Sequence, residues 1–207
     1  MLELGIYGGT FAPVHIGHVA AAEAFFNTLS LDKLLIIPTL IPPHKTVCFP
    51  DNPNDRLEML HLAFKTHPEY EKKIFISDYE LGAPPPSYTV NTLEHFTEDG
   101  THITFLCGTD MFLTLDSWRS PERIFALCRI ALMLREENAS EELLAQIETK
   151  KAVYAERFGA DIVTVHAPAI EISSSAIRAG DDDMRKRYLP KAVYDYVKEH
   201  GLYERIQ

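Results

Sequence analysis

Short apolar runs alternate with longer runs of helical character along most of this chain, and this alternation limits the folds that the chain can adopt. Six apolar runs have the length of buried strands: Leu2–Tyr7, Leu34–Ile37, Ile74–Ser77, Ile103–Cys107, Arg129–Leu134 and Asp161–Val165. Seven helices are predicted around them: Ile16–Leu29, Asp55–Thr66, Tyr88–Phe96, Pro121–Leu127, Ser140–Phe158, Ser173–Gly180 and Pro190–His200. The pattern predicts an α/β fold, a Rossmann-like open parallel sheet with helices on both faces. Right-handed crossovers would bring all the strand-to-helix turns to one edge of that sheet.

The size and composition of the chain restrict its class. Its 207 residues, 46% of them apolar, are enough for one full core, so we expect a single domain over residues 1–207. No apolar run has the length of a bilayer span and no basic segment precedes an apolar one at the N-terminus, which predicts a soluble, cytoplasmic protein without a membrane partner. The oligomeric state stays open, a homo-oligomer included.

Charge and cysteine content exclude further classes. The formal net charge of −10 argues against a nucleic-acid polymer as partner, because such proteins need a basic face, but it leaves a mononucleotide open. Cys48, Cys107 and Cys128 form no Cys-x-x-Cys pair, which argues against a disulfide framework and against a zinc site. Cys107 and Cys128 lie in apolar runs and are expected to be buried thiols.

The segment Gly8-Gly9-Thr10-Phe11-Ala12-Pro13-Val14-His15-Ile16-Gly17-His18 joins the first predicted strand to the first predicted helix. Two glycines without β-carbons would let the phosphates of a ligand approach backbone N–H groups. His15 and His18 are three residues apart, so both rings can share one face at the positive end of the helix. Together these features predict a phosphate site. A metal pair would lack an adjacent third ligand, and a simple polar turn is the plain alternative.

Three other segments at the expected edge carry polar groups. Lys45 lies in the proline-rich connection Pro38–Asn54, which could hold its ammonium over the sheet edge, although most loop lysines are only solvated. Asp110 follows the fourth strand and suits a ribose hydroxyl, a Mg²⁺ shell or a helix cap. A serine run and an arginine, which suit either an anion cradle or a capped helix, follow the sixth strand: Ile172, Ser173, Ser174, Ser175 and Arg178.

The ordered set of these motifs resembles the nucleotidyltransferases of the His-x-Gly-His type and, within them, the bacterial nicotinate-nucleotide adenylyltransferases. The resemblance extends over nearly the whole chain and includes Pro42-Pro43-His44-Lys45, Arg56-Leu57-x-Met59-Leu60, Asp78-x-Glu80-Leu81, Ser87-Tyr88-Thr89-Val90-x-Thr92-Leu93, Gly108-x-Asp110 with Trp118, Leu189-Pro190-x-x-Val193-x-x-Tyr196 and Leu202-Tyr203. The chain departs from the family pattern at three places: Ala12 replaces an aspartate, Ser175 replaces a threonine, and Glu136-Glu137 replaces Pro-Gly.

The resemblance implies adenylyl transfer from ATP to nicotinate mononucleotide, giving nicotinate adenine dinucleotide and pyrophosphate in NAD biosynthesis. It implies Mg²⁺ as the cofactor, carried with ATP rather than held by protein side chains alone, with Asp110 as a residue near it. The implied catalytic residues are His15, His18, Lys45 and Arg178. The implied ATP-binding residues are Gly8, Gly9, Thr10, Phe11, His15, His18, Ile172, Ser173, Ser174, Ser175 and Arg178. The implied pyridine-nucleotide residues are Gly9, Thr10, Lys45, Tyr88, Thr89, Gly108, Asp110, Trp118 and Arg135.

Two alternatives stay open at the level of sequence. One is another adenylyltransferase of the same superfamily, such as pantetheine-phosphate adenylyltransferase, which shares the first motif. The other is a nucleotide-sensing module that keeps the fold without turnover, an alternative favoured only by the departure at Ala12. No Lys or Arg occurs from Pro84 to Leu93. We therefore expect backbone N–H groups at Thr89 and around Trp118–Arg119 to recognise the acid rather than the amide.

Overall fold

One parallel sheet of six strands forms the centre of the molecule. The structure, a computed structural model, describes residues 1–42, 52–65, 70–135 and 140–203. The strands are β1 (Leu2–Gly9), β2 (Lys33–Pro38), β3 (Ile74–Ile76), β4 (Thr101–Gly108), β5 (Cys128–Arg135) and β6 (Ile162–Ala167). They pair in the order β3-β2-β1-β4-β5-β6, and every pairing is parallel. The predicted Rossmann-like α/β fold is confirmed.

Ten α-helices connect and flank the strands within the described ranges. They are α1 (Ile16–Thr28), α2 (Pro53–Lys65), α3 (Tyr79–Gly82), α4 (Thr89–Phe96), α5 (Thr109–Phe112), α6 (Pro121–Leu127), α7 (Glu141–Phe158), α8 (Ser174–Ala179), α9 (Asp182–Tyr188) and α10 (Lys191–Glu199). A single 3-10 turn, Leu115–Ser117, lies between α5 and α6. None of these helices has both the length and the apolar character needed to cross a membrane.

Each face of the sheet has its own core, as the strand sequences require. On β4, Phe105 packs in one core and its neighbour Leu106 in the other, because successive side chains of a strand point to opposite faces. Helices α1, α2, α8 and α10 cover one face, and α4, α5, α6 and α7 cover the other. Cys107 and Cys128 are buried as expected, and burial raises the pKa of both thiols.

The chain reverses its direction of winding between β1 and β4. β1 pairs with β2 on one side and with β4 on the other, with Tyr7 opposite both Ile36 and Leu106. Ligands of open α/β sheets bind outside the carboxyl ends of the strands at this switch point. The fold therefore places a site at Gly8 and Gly9.

The observed elements differ from the predicted ones in three respects. β1 continues to Gly9 instead of ending at Tyr7, so the two glycines form the strand end and not the turn. The short helices α3, α5 and α9 were not predicted, because α3 and α5 have only four residues each and α9 is mostly charged, so none shows an apolar helical period. α2 begins at Pro53 rather than at Asp55, since proline is tolerated in the first turn of a helix. The remaining predicted bounds agree within two residues wherever the chain is described.

Candidate active site

A cavity of about 420 Å³ opens at the switch point, beside the carboxyl ends of β1 and β4. The residues lining it that the sequence singled out are Gly8, Gly9, Thr10, Phe11, His18, Tyr88, Thr89, Gly108 and Trp118. Arg119, whose backbone was expected to take part in recognising the acid, also lines it. Others line it without having been predicted as ligand contacts: Ile6, Tyr7, Thr39, Pro42, Glu80, Ser87, Thr92, Leu93, Phe105, Met111 and Ile124. An apolar and aromatic wall with a few polar groups is the usual form of a small-molecule site.

His18 is held in the cavity wall by three aromatic neighbours. Its ring stacks on His15 with 3.7 Å between ring centroids and meets the rings of Phe11 and Tyr7 at 5.0 and 6.4 Å. The backbone N–H of His15 donates a hydrogen bond to Nδ1 of His18 at 3.2 Å. Because Nδ1 accepts this bond, the proton of the neutral ring lies on Nε2. The N–H donor of the His18 ring is therefore Nε2, and His18 lines the cavity.

His15 lies on the same face as His18, as predicted, but it does not line the cavity. Its side chain is 2% exposed, and it occupies the position before the first turn of α1. Gly17 explains the spacing of the motif, because a β-carbon there would lie 3.1 Å from two atoms of the His15 ring. The role that the geometry gives His15 is to support the ring of His18.

The two glycines that end β1, Gly8 and Gly9, serve different purposes. A β-carbon at Gly9 would lie 2.9 Å from the ring of Phe11, which is itself buried and held at a φ of 47°. Gly9 is thus needed for packing within the protein. A β-carbon at Gly8 would meet only the Phe105 ring at an ordinary 3.8 Å. The protein itself leaves room at Gly8, which is where a ligand can approach the backbone.

Helix α8 braces the turn between β1 and α1. Ser174 donates from Oγ to the carbonyl oxygen of Pro13 at 2.9 Å. Arg178 donates from Nη1 to the carbonyl oxygen of Ala12 at 2.5 Å and from Nη2 to Ser175 Oγ at 3.0 Å. Ser173 caps α8 by accepting from the N–H of Ala176. The predicted anion cradle thus adjoins the turn but does not line the cavity, and part of its hydrogen-bonding capacity goes to the turn.

Arg56 of α2 is a structural residue of the site that the sequence did not reveal. It is 1% exposed, and Nη1 donates to the carbonyl oxygens of Thr10 at 2.9 Å and Thr39 at 2.6 Å. One guanidinium therefore joins the chain just beyond β1 to the chain just beyond β2. The available signal was an arginine among the apolar positions of an amphipathic helix, which is rarely buried without polar partners.

A second wall of the cavity combines the start of α4 with the segment after α5. The first N–H groups of a helix have no intrahelical partners. Tyr88, which precedes α4, does not cap them with its side chain. The guanidinium carbon of Arg119 lies 4.6 Å from the centre of the Tyr88 ring. Trp118 meets Phe105 edge to face at 6.5 Å, and its Nε1 donates to Thr114 at 3.4 Å. This wall offers aromatic surface, N–H donors and one cation.

Helix α7 fixes the segment that leads to Trp118. Lys150 donates to both carboxylate oxygens of Asp116 at 2.9 Å. The Tyr154 hydroxyl lies 2.8 Å from the carbonyl oxygen of Phe112 and 3.2 Å from Asp116 Oδ1. The hydrogen bond from Lys150 is the main reason that the pKa of Asp116 lies below its usual range. We call Asp116, Lys150 and Tyr154 the α7 clamp.

Asp110 and Ile172, which the sequence predicted as site residues, do not line the cavity. Lys45 and the pair Glu136-Glu137 lie outside the described residues. Arg135 is the last residue of β5, and Asp110 is exposed in the first turn of α5. Ile172 is half-buried just before α8. Within the described ranges, no group of three or more His, Cys, Asp or Glu side chains is arranged to hold a metal ion.

The chain is similar to known proteins over most of its length. A cytidylyltransferase-like family model matches residues 6–180. A protein of Caldicellulosiruptor saccharolyticus, "probable nicotinate-nucleotide adenylyltransferase", is 34% identical over 206 residues and covers 98% of this chain and 100% of the relative. A Clostridium tetani protein of the same name is 34% identical over 210 residues, with 98% and 100% coverage. The structure of "Plasmodium falciparum nicotinic acid mononucleotide adenylyltransferase complexed with NaAD" has a TM-score of 0.75 at 19% identity and covers 98% of both chains.

The chain therefore belongs to the cytidylyltransferase-like family, and its α/β fold has the cavity at the switch point of the sheet. Its particular branch is that of the nicotinate-nucleotide adenylyltransferases, whose members it matches over their full length. The resemblance inferred from the motifs is confirmed.

Proposed function

We propose that this chain transfers the adenylyl group of ATP to nicotinate mononucleotide, releasing pyrophosphate and forming nicotinate adenine dinucleotide, a step of NAD biosynthesis. The observation that carries the proposal is a single cavity that combines the open strand end at Gly8 and the N–H donor of His18 with an aromatic wall at Tyr88 and Trp118. Full-length relatives bear the name of this activity.

The reaction needs positioning more than it needs a base. The nucleophile is the phosphate monoester of the mononucleotide, whose second pKa is about 6, so it is already mostly dianionic at neutral pH. The task of the protein is to align two anionic groups and to stabilise the charge that develops on the α-phosphate and on the leaving pyrophosphate. Preorganised N–H donors suit that task, and His18 supplies one from a ring that is fixed on three sides.

The remaining cationic and hydroxyl groups fit the leaving pyrophosphate. In the proposal, His15 keeps His18 oriented, and Lys45 and Arg178 hold pyrophosphate oxygens. Ser174 and Ser175 add hydroxyl donors. Arg178 braces the turn through Ala12 and Ser175, and its forked, permanently charged guanidinium is the type of donor that suits pyrophosphate oxygens.

Mg²⁺ fits this site as a companion of ATP. When bound, it would neutralise charge on the phosphates, and it would be held mainly by phosphate oxygens and water. Asp110 is the carboxylate that suits it, since it is exposed two residues beyond Gly108, which lines the cavity.

The second wall suits the pyridine ring of the mononucleotide. Trp118 and Tyr88 offer aromatic surface, and Thr89 begins the helix whose first N–H groups can donate to the carboxylate of nicotinate. Arg119, stacked over Tyr88, adds a positive charge to the backbone donors that the sequence suggested. A neutral amide would present an NH₂ group to these donors, and a donor facing a donor leaves a hydrogen bond unmade.

A pyrophosphate-release assay tests the proposal. We expect release only when ATP, Mg²⁺ and nicotinate mononucleotide are all present. Phosphopantetheine in place of the mononucleotide should give none, which separates this activity from that of the related adenylyltransferase. Binding of both nucleotides without any release would instead establish a nucleotide-sensing module.

A further inference from the structure

Glu80 is the only carboxyl group among the described residues that line the cavity. It lies in α3, and the residue is only 7% exposed. Neither the alignment of phosphates nor the recognition of the pyridine ring makes use of it. A buried carboxyl group in the wall of a ligand cavity needs a reason, because burial disfavours its charged form.

Only one of the two oxygens of Glu80 is satisfied within the protein. Oε1 accepts a hydrogen bond from the hydroxyl of Thr92 at 2.6 Å. Oε2 is buried and accepts no hydrogen bond with good geometry from the described residues. Burial raises the pKa of the carboxyl group, and the hydroxyls of Thr92, Thr39 and Ser87 oppose that rise. Oε2 thus keeps unused hydrogen-bonding capacity within a residue that lines the cavity.

The chemistry of the substrates limits what can meet Oε2. Nicotinate mononucleotide carries a phosphate and a carboxylate, and both are acceptors that a carboxylate repels. Its only hydrogen-bond donors are the two hydroxyls of the ribose. A hydroxyl both donates and accepts, so it can pair with Oε2 whether or not the carboxyl group is ionised. ATP also offers ribose hydroxyls, which makes it the competing source of the same group.

We propose that Glu80 is a specificity-determining residue whose Oε2 forms a hydrogen bond with a ribose hydroxyl of the pyridine mononucleotide. The inference rests on the proposed function. The mononucleotide is favoured over ATP because Glu80 is tied to α4 through Thr92. Thr92 lies one turn beyond Thr89, where the pyridine wall begins. Glu80 therefore adjoins the pyridine wall of the cavity.

Substrate analogues without one hydroxyl test this assignment. The values of kcat/KM are measured for nicotinate mononucleotide and its 2′-deoxy and 3′-deoxy forms at fixed ATP, and then for 2′-deoxy-ATP and 3′-deoxy-ATP at fixed mononucleotide. Glu80→Met keeps an unbranched side chain of similar length without a carboxyl oxygen. Glu142→Met, on the exposed face of α7, is the matched control. Circular dichroism and thermal unfolding show whether each variant folds.

For the wild-type protein, we expect the ratio of kcat/KM for nicotinate mononucleotide to kcat/KM for one of its deoxy forms to be at least ten. Glu80→Met should reduce that ratio to within twofold, while Glu142→Met should keep it. Preservation of the wild-type ratio in folded Glu80→Met would overturn the inference, as would a change confined to the deoxy-ATP analogues. An altered preference between the acid and the amide, with the ribose ratio unchanged, would also overturn it, since Glu80 would then face the pyridine substituent.

Two outcomes separate this inference from the proposed function. Wild-type turnover of nicotinate mononucleotide is measured first, and its absence would contradict the proposed function. Turnover that persists undiminished with both deoxy mononucleotides would overturn only the role of Glu80. That second comparison needs no variant, so the inference stays falsifiable even if Glu80→Met does not fold.

Discussion

At the scale of single residues, the position of one proton distinguishes His18 from an ordinary histidine at a helix start. The N–H of His15 occupies Nδ1 of His18, which leaves the ring proton on Nε2. Stacking on His15 and edge contacts with Phe11 fix the plane of the ring. A donor fixed before the substrate binds costs no reorganisation when charge develops on phosphate.

Replacement of His18 by alanine should abolish most turnover without unfolding the protein. Loss of one preorganised transition-state donor typically lowers the rate about 10²- to 10³-fold. The measurement is kcat from pyrophosphate release, with circular dichroism to check the fold. His61→Ala, at an exposed position of α2, serves as the control and should keep full activity. Turnover of His18→Ala within a few-fold of the parent would exclude His18 from the chemistry.

Trp118 is the only tryptophan of the chain, so its fluorescence reports on the pyridine wall alone. Trp118 lines the cavity next to Arg119. Nicotinate mononucleotide should therefore change its emission, and ATP alone should change it much less. The measurement is a titration of each nucleotide at constant protein. Unchanged emission at saturating mononucleotide would assign Trp118 to core packing against Phe105.

At the scale of elements, α8 connects two parts of the chain that are far apart in sequence. Its side chains hold the carbonyl oxygens of Ala12 and Pro13, and the turn that they hold begins at the cavity. Sequence alone predicted the serines and Arg178 as either an anion cradle or a capped helix. It could not predict the contacts with the turn, because those depend on the packing of α8 against β1 and α1.

Arg178→Lys should impair the use of ATP even though lysine retains the positive charge. Lysine lacks the fork that lets one side chain hold Ala12 and Ser175 and still meet an anion. We expect KM for ATP to rise more than KM for the mononucleotide in steady-state kinetics. Arg187→Lys, on α9, is the control and should change neither value. A defect confined to the pyridine nucleotide would show that the two subsites are reversed.

The α7 clamp gives a second prediction at this scale. Tyr154→Phe removes the hydrogen bonds to Phe112 and Asp116, which should cost about 1 kcal/mol of unfolding free energy. For a chain of this size that corresponds to a fall in Tm of about 2–4 °C. The loosened segment should raise KM for the mononucleotide and leave KM for ATP unchanged. Tyr194→Phe, at a surface hydrogen bond with Asp182, is the control. Equal effects on both KM values would contradict the link between the clamp and Trp118.

At the scale of the whole molecule, the topology follows from patterns that are local in sequence. Alternating apolar runs and helices require parallel strands, and right-handed crossovers then bring the loops to one edge. The position of Gly8 at that edge could be predicted in this way, whereas Tyr88 and Trp118 were assigned to the site through the resemblance to the family. The short helices α3 and α9 escaped prediction because tertiary contacts, not a helical period, hold them in place.

Buried polar residues were the main part of the site that sequence did not reveal. Arg56 and Glu80 lie in motifs typical of the family, yet their partners are distant in the chain or become close only on folding. Arg56 contacts Thr10 across 46 residues, a separation that no periodicity detects. Only the folded structure shows which polar groups face the cavity and which hold its walls together.

A direct competition between the acid and amide mononucleotides tests the central claim most directly. The protein is mixed with ATP, Mg²⁺ and equal amounts of nicotinate mononucleotide and nicotinamide mononucleotide, and the dinucleotides are quantified by mass spectrometry. We expect the acid dinucleotide to exceed the amide at least tenfold, a ratio that corresponds to about 1.4 kcal/mol. Formation of no dinucleotide would contradict the proposed chemistry. Equal products, or an excess of the amide dinucleotide, would contradict the assigned substrate.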